Sequence, residues 1–239
     1  MCGIVGVVGN SNAVDILIQG LEKLEYRGYD SAGIYVTDAP DKGCLVKSVG
    51  RIADLRAKIS SDVKGSTGIG HTRWATHGQA TEDNAHPHTS ETGRFVLVHN
   101  GVIENYLQIK EEYLQGHKFK GQTDTEIAVH LIGKFVDEDG LSVLEALKKS
   151  LHIIQGSYAF ALVDSQAPDT IYVAKNKSPL LIGVGEGYNM VCSDAMAMIR
   201  ETNQYMEISS EQPTKLHIQQ NHCYYLRTSL TTLLIQERP

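Results

Sequence analysis

The 239-residue sequence has no run of lysines and arginines, no CxxC pair, no apolar stretch long enough to cross a bilayer and no internal repeat. Each absence removes a class of function. Without a basic cluster there is no electrostatic footprint for a phosphate backbone, and the formal net charge is −6, so nucleic acid is not an expected partner. The apolar runs 4–8 and 158–163 fall far short of the roughly 20 residues of a membrane helix, so no membrane partner is expected either. Met1 is followed at once by Cys2 and Gly3, which is not the charged-then-apolar layout of a secretory leader. The expected location is therefore cytoplasmic. Cys2, Cys44, Cys192 and Cys223 are widely scattered, which argues against disulfides in a reducing compartment and against a zinc site.

What is present is a folding sequence of mixed type. Residues 4–8 read as a buried strand, and Ala13, Val14, Leu17, Ile18, Leu21 and Leu24 recur at helical spacing, with Ser11 or Asn12 as cap. Further strands are expected at 34–37, 68–73, 94–99, 158–163, 170–174, 180–184 and 189–192. Helices are expected at 52–59, 103–114, 125–136 and 141–154, with Thr123 and Glu126 at the spacing of a capping box. Gly183, Gly185 and Gly187 read as a turn between strands rather than a dinucleotide loop. No low-complexity linker divides the chain, so residues 1–239 read as one domain. Strands and helices come in clusters, which favours antiparallel sheets with helices outside, an α+β architecture.

Cys2 is singled out by its position. Removal of Met1 would leave a thiol and a free α-amine on one residue, and such an amine titrates near pH 7.7–8.0 (about) and can act as a base. Attacker and proton acceptor would then share a residue, as in enzymes with a terminal threonine. An amide-hydrolysing site also needs oxyanion donors and a substrate clamp. Asn100 and Gly101, after a strand ending at His99, offer a side-chain amide and an unhindered N–H, or else a simple turn. Arg73 at a strand end suits a carboxylate, and Asp124 at a helix start suits an ammonium or the helix's own donors. The ten histidines include His71, His77 and the close pair His86 and His88, but no carboxylate or cysteine stands at a recognised ligand spacing. No metal and no cofactor are expected.

The opening Met1-Cys2-Gly3-Ile4-Val5-Gly6 resembles that of the N-terminal-nucleophile (class II) glutamine amidotransferases, a group that includes amidophosphoribosyltransferases and asparagine synthetases. The stretches 24–33 and 71–78, with His99-Asn100-Gly101 and Thr123-Asp124-Thr125-Glu126, narrow the resemblance to the glutamine–fructose-6-phosphate aminotransferase family, over residues 1 to about 208. That resemblance implies a four-layer αββα sandwich with Cys2 between two antiparallel sheets. It implies Cys2 as the nucleophile forming a γ-glutamyl thioester, and Asn100 and Gly101 as the oxyanion hole. Arg73 and Asp124 would hold the two charged ends of L-glutamine, with Thr76 and His77 on a covering loop and Trp74 gating ammonia. Arg27, His86 and His99 would support the site. The implied partner is a sugar-isomerase domain acting on fructose 6-phosphate, absent from these residues, so the chain alone is expected to release ammonia but make no amino sugar. A homodimer is left open. Residues 209–239 do not resemble the expected closing strands, and no strand is assigned there. Two other readings stay open: a phosphoribosyl-type amidotransferase, and a non-catalytic module that keeps the fold.

Overall fold

The computed structural model describes residues 2–9, 12–75 and 78–208, and the backbone of two strands at 214–219 and 222–227. In chain order, β1 (Gly3–Gly9) and α1 (Ala13–Glu22) lead to β2 (Ser31–Thr37), β3 (Cys44–Val49), α2 (Ile52–Lys58) and β4 (Thr67–Arg73). The short β5 (His88–Thr89) and long β6 (Phe95–Ile103) precede three helices, α3 (Tyr106–Tyr113), α4 (Asp124–Asp137) and α5 (Val143–Ile153). The remaining strands are β7 (Gly156–Asp164), β8 (Thr170–Asn176), β9 (Leu181–Val184), β10 (Tyr188–Cys192), β11 (Tyr205–Glu207), β12 (Thr214–Gln219) and β13 (His222–Arg227).

Two antiparallel sheets result, in the orders β11-β9-β10-β1-β4-β2-β3 and β13-β12-β8-β7-β6-β5. The period-2 pattern of each strand fills three layers of core. In β1, Ile4 and Val8 pack between the sheets, whereas Val5 and Val7 pack under α1 and α2. In β6, Val96 and Val98 face the other sheet, and Phe95 and Leu97 face α4. Helix α4 is buried on nearly every side because α3 and α5 flank it and β6 lies beneath it. The expected four layers, helix, sheet, sheet and helix, are therefore present. No described helix is long and apolar enough to cross a membrane.

Several local expectations need correction. Strand β6 does not stop at His99 but runs to Ile103, so Asn100 and Gly101 are strand residues and not a hairpin turn. The helix expected from residue 103 starts at Tyr106. Half of the expected capping box forms, with Thr123 Oγ1 accepting from Glu126 N at 3.2 Å. The Glu126 carboxylate instead accepts from the N–H groups of Lys120 and Gly121, tying down the approach to α4. Asn12 makes no side-chain cap and binds Asp15 at 2.6 Å. Strands β3, β5 and β11 went unassigned, being short or exposed on one face. Strands β12 and β13 pair with each other, and β12 pairs with β8 at the edge of the second sheet.

Candidate active site

Strand phase brings the chemistry together. Cys2 is in step with Ile4, Asn100 with Val98, and His71 and Arg73 with Ile69, all between the sheets. Trp74 N donates to Cys2 Sγ at 3.2 Å, so the backbone leaving β4 grips the thiol. The Cys2 carbonyl accepts from Asn100 Nδ2 at 3.3 Å and from Arg27 at 3.4 Å. Arg27 is itself held by an ion pair with Asp194, which also takes the Tyr26 hydroxyl at 2.8 Å. Burial pushes the Cys2 thiol pKa up, opposed by the Trp74 N–H and by the charge of Arg73 and reinforced by Asp30. The resting sulfur is therefore a thiol that needs a base.

Asn100 is oriented by an imidazole. His71 Nε2 lies 2.9 Å from both Asn100 Oδ1 and the His99 carbonyl. Both are acceptors, so Nε2 carries the proton. That N–H fixes the amide oxygen toward His71 and turns Nδ2 toward Cys2. Burial drives the His71 pKa down to about 3, against the raising effect of its bonds to Asn100 and His99. Its ring stacks on His86 at 4.1 Å, and His86 meets His88 edge-on at 4.8 Å. Burial holds His86 and His88 well below the ordinary imidazole range. His86 Nδ1 accepts from His99 N at 3.3 Å, and Gly33 admits the segment, since a Cβ there would lie 2.3 Å from the His86 carbonyl oxygen. His88 Nε2 lies 3.0 Å from the Thr123 hydroxyl, whereas the buried His71 Nδ1 has no hydrogen-bond partner.

His99 connects this layer to α4. Its Nε2 donates to the Ser157 carbonyl at 3.4 Å, and its Nδ1 accepts from the Thr125 hydroxyl at 2.9 Å. Asp124 Oδ2 sits 4.0 Å from Nδ1, but burial lowers the His99 pKa, so the contact is not an ion pair at neutral pH. Asp124 accepts from Ile103 N at 2.8 Å and from Thr125 N at 2.9 Å. Both carboxylate oxygens are anchored, and each keeps a second lone pair. Arg73, 4% exposed, reaches the Gln79 carbonyl at 3.2 Å and the Gly78 carbonyl at 3.5 Å. Trp74 is 52% exposed and its ring covers Gly28, where a Cβ would lie 2.4 Å from the ring. Thr76 and His77 lie outside the described residues.

Four contributors carried no expected site role: His71, Asp30, Asp194 and Asn84. Asp30 accepts the Ala75 N–H just after β4, and Asn84 bridges Gln79 to Gln122. For His71 a signal existed: Ile69, His71 and Arg73 alternate with Gly68, Gly70 and Thr72 in β4. An open cavity of ≈ 680 Å³ beside α1, lined by residues such as Asp15, Asp38 and Arg56, contains none of the site residues. The chemistry, not that cavity, locates the site.

Two antiparallel sheets between helical layers, with a cysteine at residue 2 facing an amide donor, define an N-terminal-nucleophile amidotransferase fold. Residues 71–200, over half the chain, match the glutamine amidotransferase domain family, and the chain belongs to it. It is 82% identical over 212 residues to the glutamine–fructose-6-phosphate aminotransferase (isomerizing) of Streptococcus mutans, covering 89% of this chain and 35% of that protein. The Streptococcus pyogenes serotype M1 enzyme of the same name gives the same identity and shares. The chain thus spans about a third of the length of these relatives. The solved glutamine phosphoribosylpyrophosphate amidotransferase of B. subtilis superposes with a TM-score of 0.79 at 30% identity, over 96% of this chain and 50% of that one. A class-II domain protein from Silicibacter pomeroyi, at 17% identity and a TM-score of 0.60, shares the fold.

Proposed function

We propose that residues 1–239 form one glutaminase domain that hydrolyses L-glutamine to glutamate and ammonia through Cys2, after removal of Met1. The observation that carries this reading is the Asn100 amide, locked by His71 with its N–H end toward Cys2. A hydrogen-bond donor fixed in advance beside a nucleophile is what acyl transfer requires.

The chemistry follows from the groups present. The α-amine takes the proton of the buried thiol, and sulfur attacks the carboxamide carbon of glutamine. The carbonyl oxygen becomes an oxyanion held by Asn100 Nδ2 and the Gly101 N–H. Collapse of the tetrahedral centre breaks the C–N bond, the ammonium returns its proton, and ammonia leaves a γ-glutamyl thioester. Water then releases glutamate and restores the thiol. Arg73 takes the α-carboxylate of the substrate and Asp124 its α-ammonium, with Thr76 and His77 on the covering loop. Arg27, fixed by Asp194, holds the Cys2 carbonyl so that the sulfur keeps its place.

In the longer protein the ammonia would serve an acceptor domain, with Trp74 at the exit. The 82% identity to aminotransferases acting on fructose 6-phosphate favours that acceptor over the phosphoribosyl type, for which the likeness is 30%. The test is glutamate release by the purified chain beside Cys2→Ala and Asn100→Ala. Turnover in the parent, none in Cys2→Ala and about 10²–10³-fold less in Asn100→Ala is expected. Turnover unchanged in Cys2→Ala would rule out Cys2 as the nucleophile, and no turnover in the parent would leave the fold as a module without this chemistry.

A further inference from the structure

Remote from Cys2 in the hydrogen-bond network, three segments converge on a second cluster. Glu91 lies in the turn between β5 and β6, His117 in the turn after α3, and His130 in the middle of α4. One ligand atom from each lies within 4.8 Å of the other two. Two donor atoms about 2.1 Å from a tetrahedral zinc ion stand about 3.4 Å apart, so side-chain movement of about an ångström closes the set. We propose that Glu91, His117 and His130 bind a divalent transition-metal cation, with zinc as the best fit to two imidazoles and one carboxylate.

Three observations carry this beyond proximity. His130 is 2% exposed, yet its Nδ1 has no hydrogen-bond partner, a costly arrangement for a buried polar atom. His117 Nε2 stands 3.2 Å from Glu138 Oε1, the carboxylate-to-imidazole contact that characteristically orients a metal-binding histidine. His117 Nδ1 lies 2.9 Å from Glu91 Oε2, yet it is buried without a hydrogen-bond partner, as His130 Nδ1 is. Glu91 is held in position through its other oxygen, which accepts from Lys118 N at 3.3 Å. Phe119 stacks on His130 at 4.6 Å and closes one wall.

The donor set has three protein atoms and a partly exposed carboxylate, leaving a fourth position for water. A cation here would tie the β5–β6 turn and the turn after α3 to α4, the helix that begins at Asp124.

The experiment is a Co²⁺ titration of the Cys2→Ala chain, chosen to remove the reactive thiol, followed by displacement with Zn²⁺. Expected are one Co²⁺ per chain, visible d–d bands of a tetrahedral site, no sulfur-to-cobalt band in the near ultraviolet, and a Zn²⁺-dependent rise in melting temperature. Glu91→Gln and His117→Gln, both at least partly exposed, should melt like the parent without metal and bind at least tenfold more weakly. A sulfur-to-cobalt band, equal affinity in both variants, or no binding tighter than millimolar would overturn the site. So would an imidazole NMR spectrum showing His117 doubly protonated at neutral pH whether or not Zn²⁺ is added.

Discussion

His71 Nε2 lies 2.9 Å from Asn100 Oδ1, so an imidazole on one sheet sets the amide orientation of a residue on the other. Both side chains face the space between the sheets; His71 is fully buried and Asn100 is 9% exposed. The donor end of Asn100 is thereby committed to the Cys2 side before any substrate arrives.

His71→Phe keeps a flat ring against His86 but removes the N–H. The Asn100 amide can then rotate, and its oxygen loses its partner. Glutamine hydrolysis should fall about tenfold or more in kcat, with little change in KM, because the lost interaction is one made in the transition state. Steady-state kinetics check this; a change in KM alone would place His71 in substrate binding instead.

Acid should destabilise the fold through its buried imidazoles. Burial lowers the pKa of His71 to about 3 and of His130 to about 4, and depresses His86, His88 and His99. Between the lowered values and the ordinary value near 6.5, the unfolded chain binds protons that the folded chain refuses, so stability falls as pH falls. Each such group contributes a slope of at most about 1.4 kcal/mol per pH unit. Thermal melts should therefore be nearly flat in this contribution above pH 7 and steepen from about pH 6.5 toward pH 4. A melting temperature that holds constant over that range would contradict the neutral-histidine assignment.

Gly28 has φ +72°, and a Cβ there would lie 2.4 Å from the Trp74 ring. Gly28→Ala should push that ring outward. Trp74 is the only tryptophan, so its emission reports the change directly, and a red shift is expected. Because Trp74 N also holds Cys2 Sγ, hydrolysis should slow as well. Unchanged emission would mean the ring does not rest on Gly28 in solution.

Gly101 combines φ +135° with a Cβ position 2.1 Å from the Ser157 carbonyl oxygen on the paired strand β7. Neither the backbone strain nor the backbone neighbour can relax cheaply. Gly101→Ala should cost about 2–4 kcal/mol in urea unfolding. It should also depress turnover in the fraction that folds.

Much of this was readable in the residues. The short apolar runs of β1, β6 and β7 mark strands buried on both faces, and α4 is marked by its Thr123 cap and apolar run. Taken alone, the positions of Cys2, Arg73, Asn100 and Asp124 allow a frayed terminus, a surface charge, a turn and a helix-end carboxylate; the family resemblance is what singles them out as the proposed site. Illegible were the strands set by pairing partners rather than by their own pattern. Strand β3 exposes part of itself, β5 has two residues, and β12 is placed by its pairing with β8. The supporting bonds were equally hidden. Nothing local in Asp194 tells that it holds Arg27, 167 residues away, and the Asn-Gly pair reads as a turn until β7 is seen to extend β6 past it.

The central claim is that Cys2 works as an N-terminal residue. It is tested by producing the chain with a removable extension before Cys2 and assaying ammonia release before and after cleavage, with intact mass confirming each form. The expected result is no turnover while the extension blocks the amine, and turnover once the mass shows Cys2 as residue one. Equal turnover in the blocked and cleaved forms would contradict the assignment of the α-amine as base and, with it, the mechanism proposed for this site.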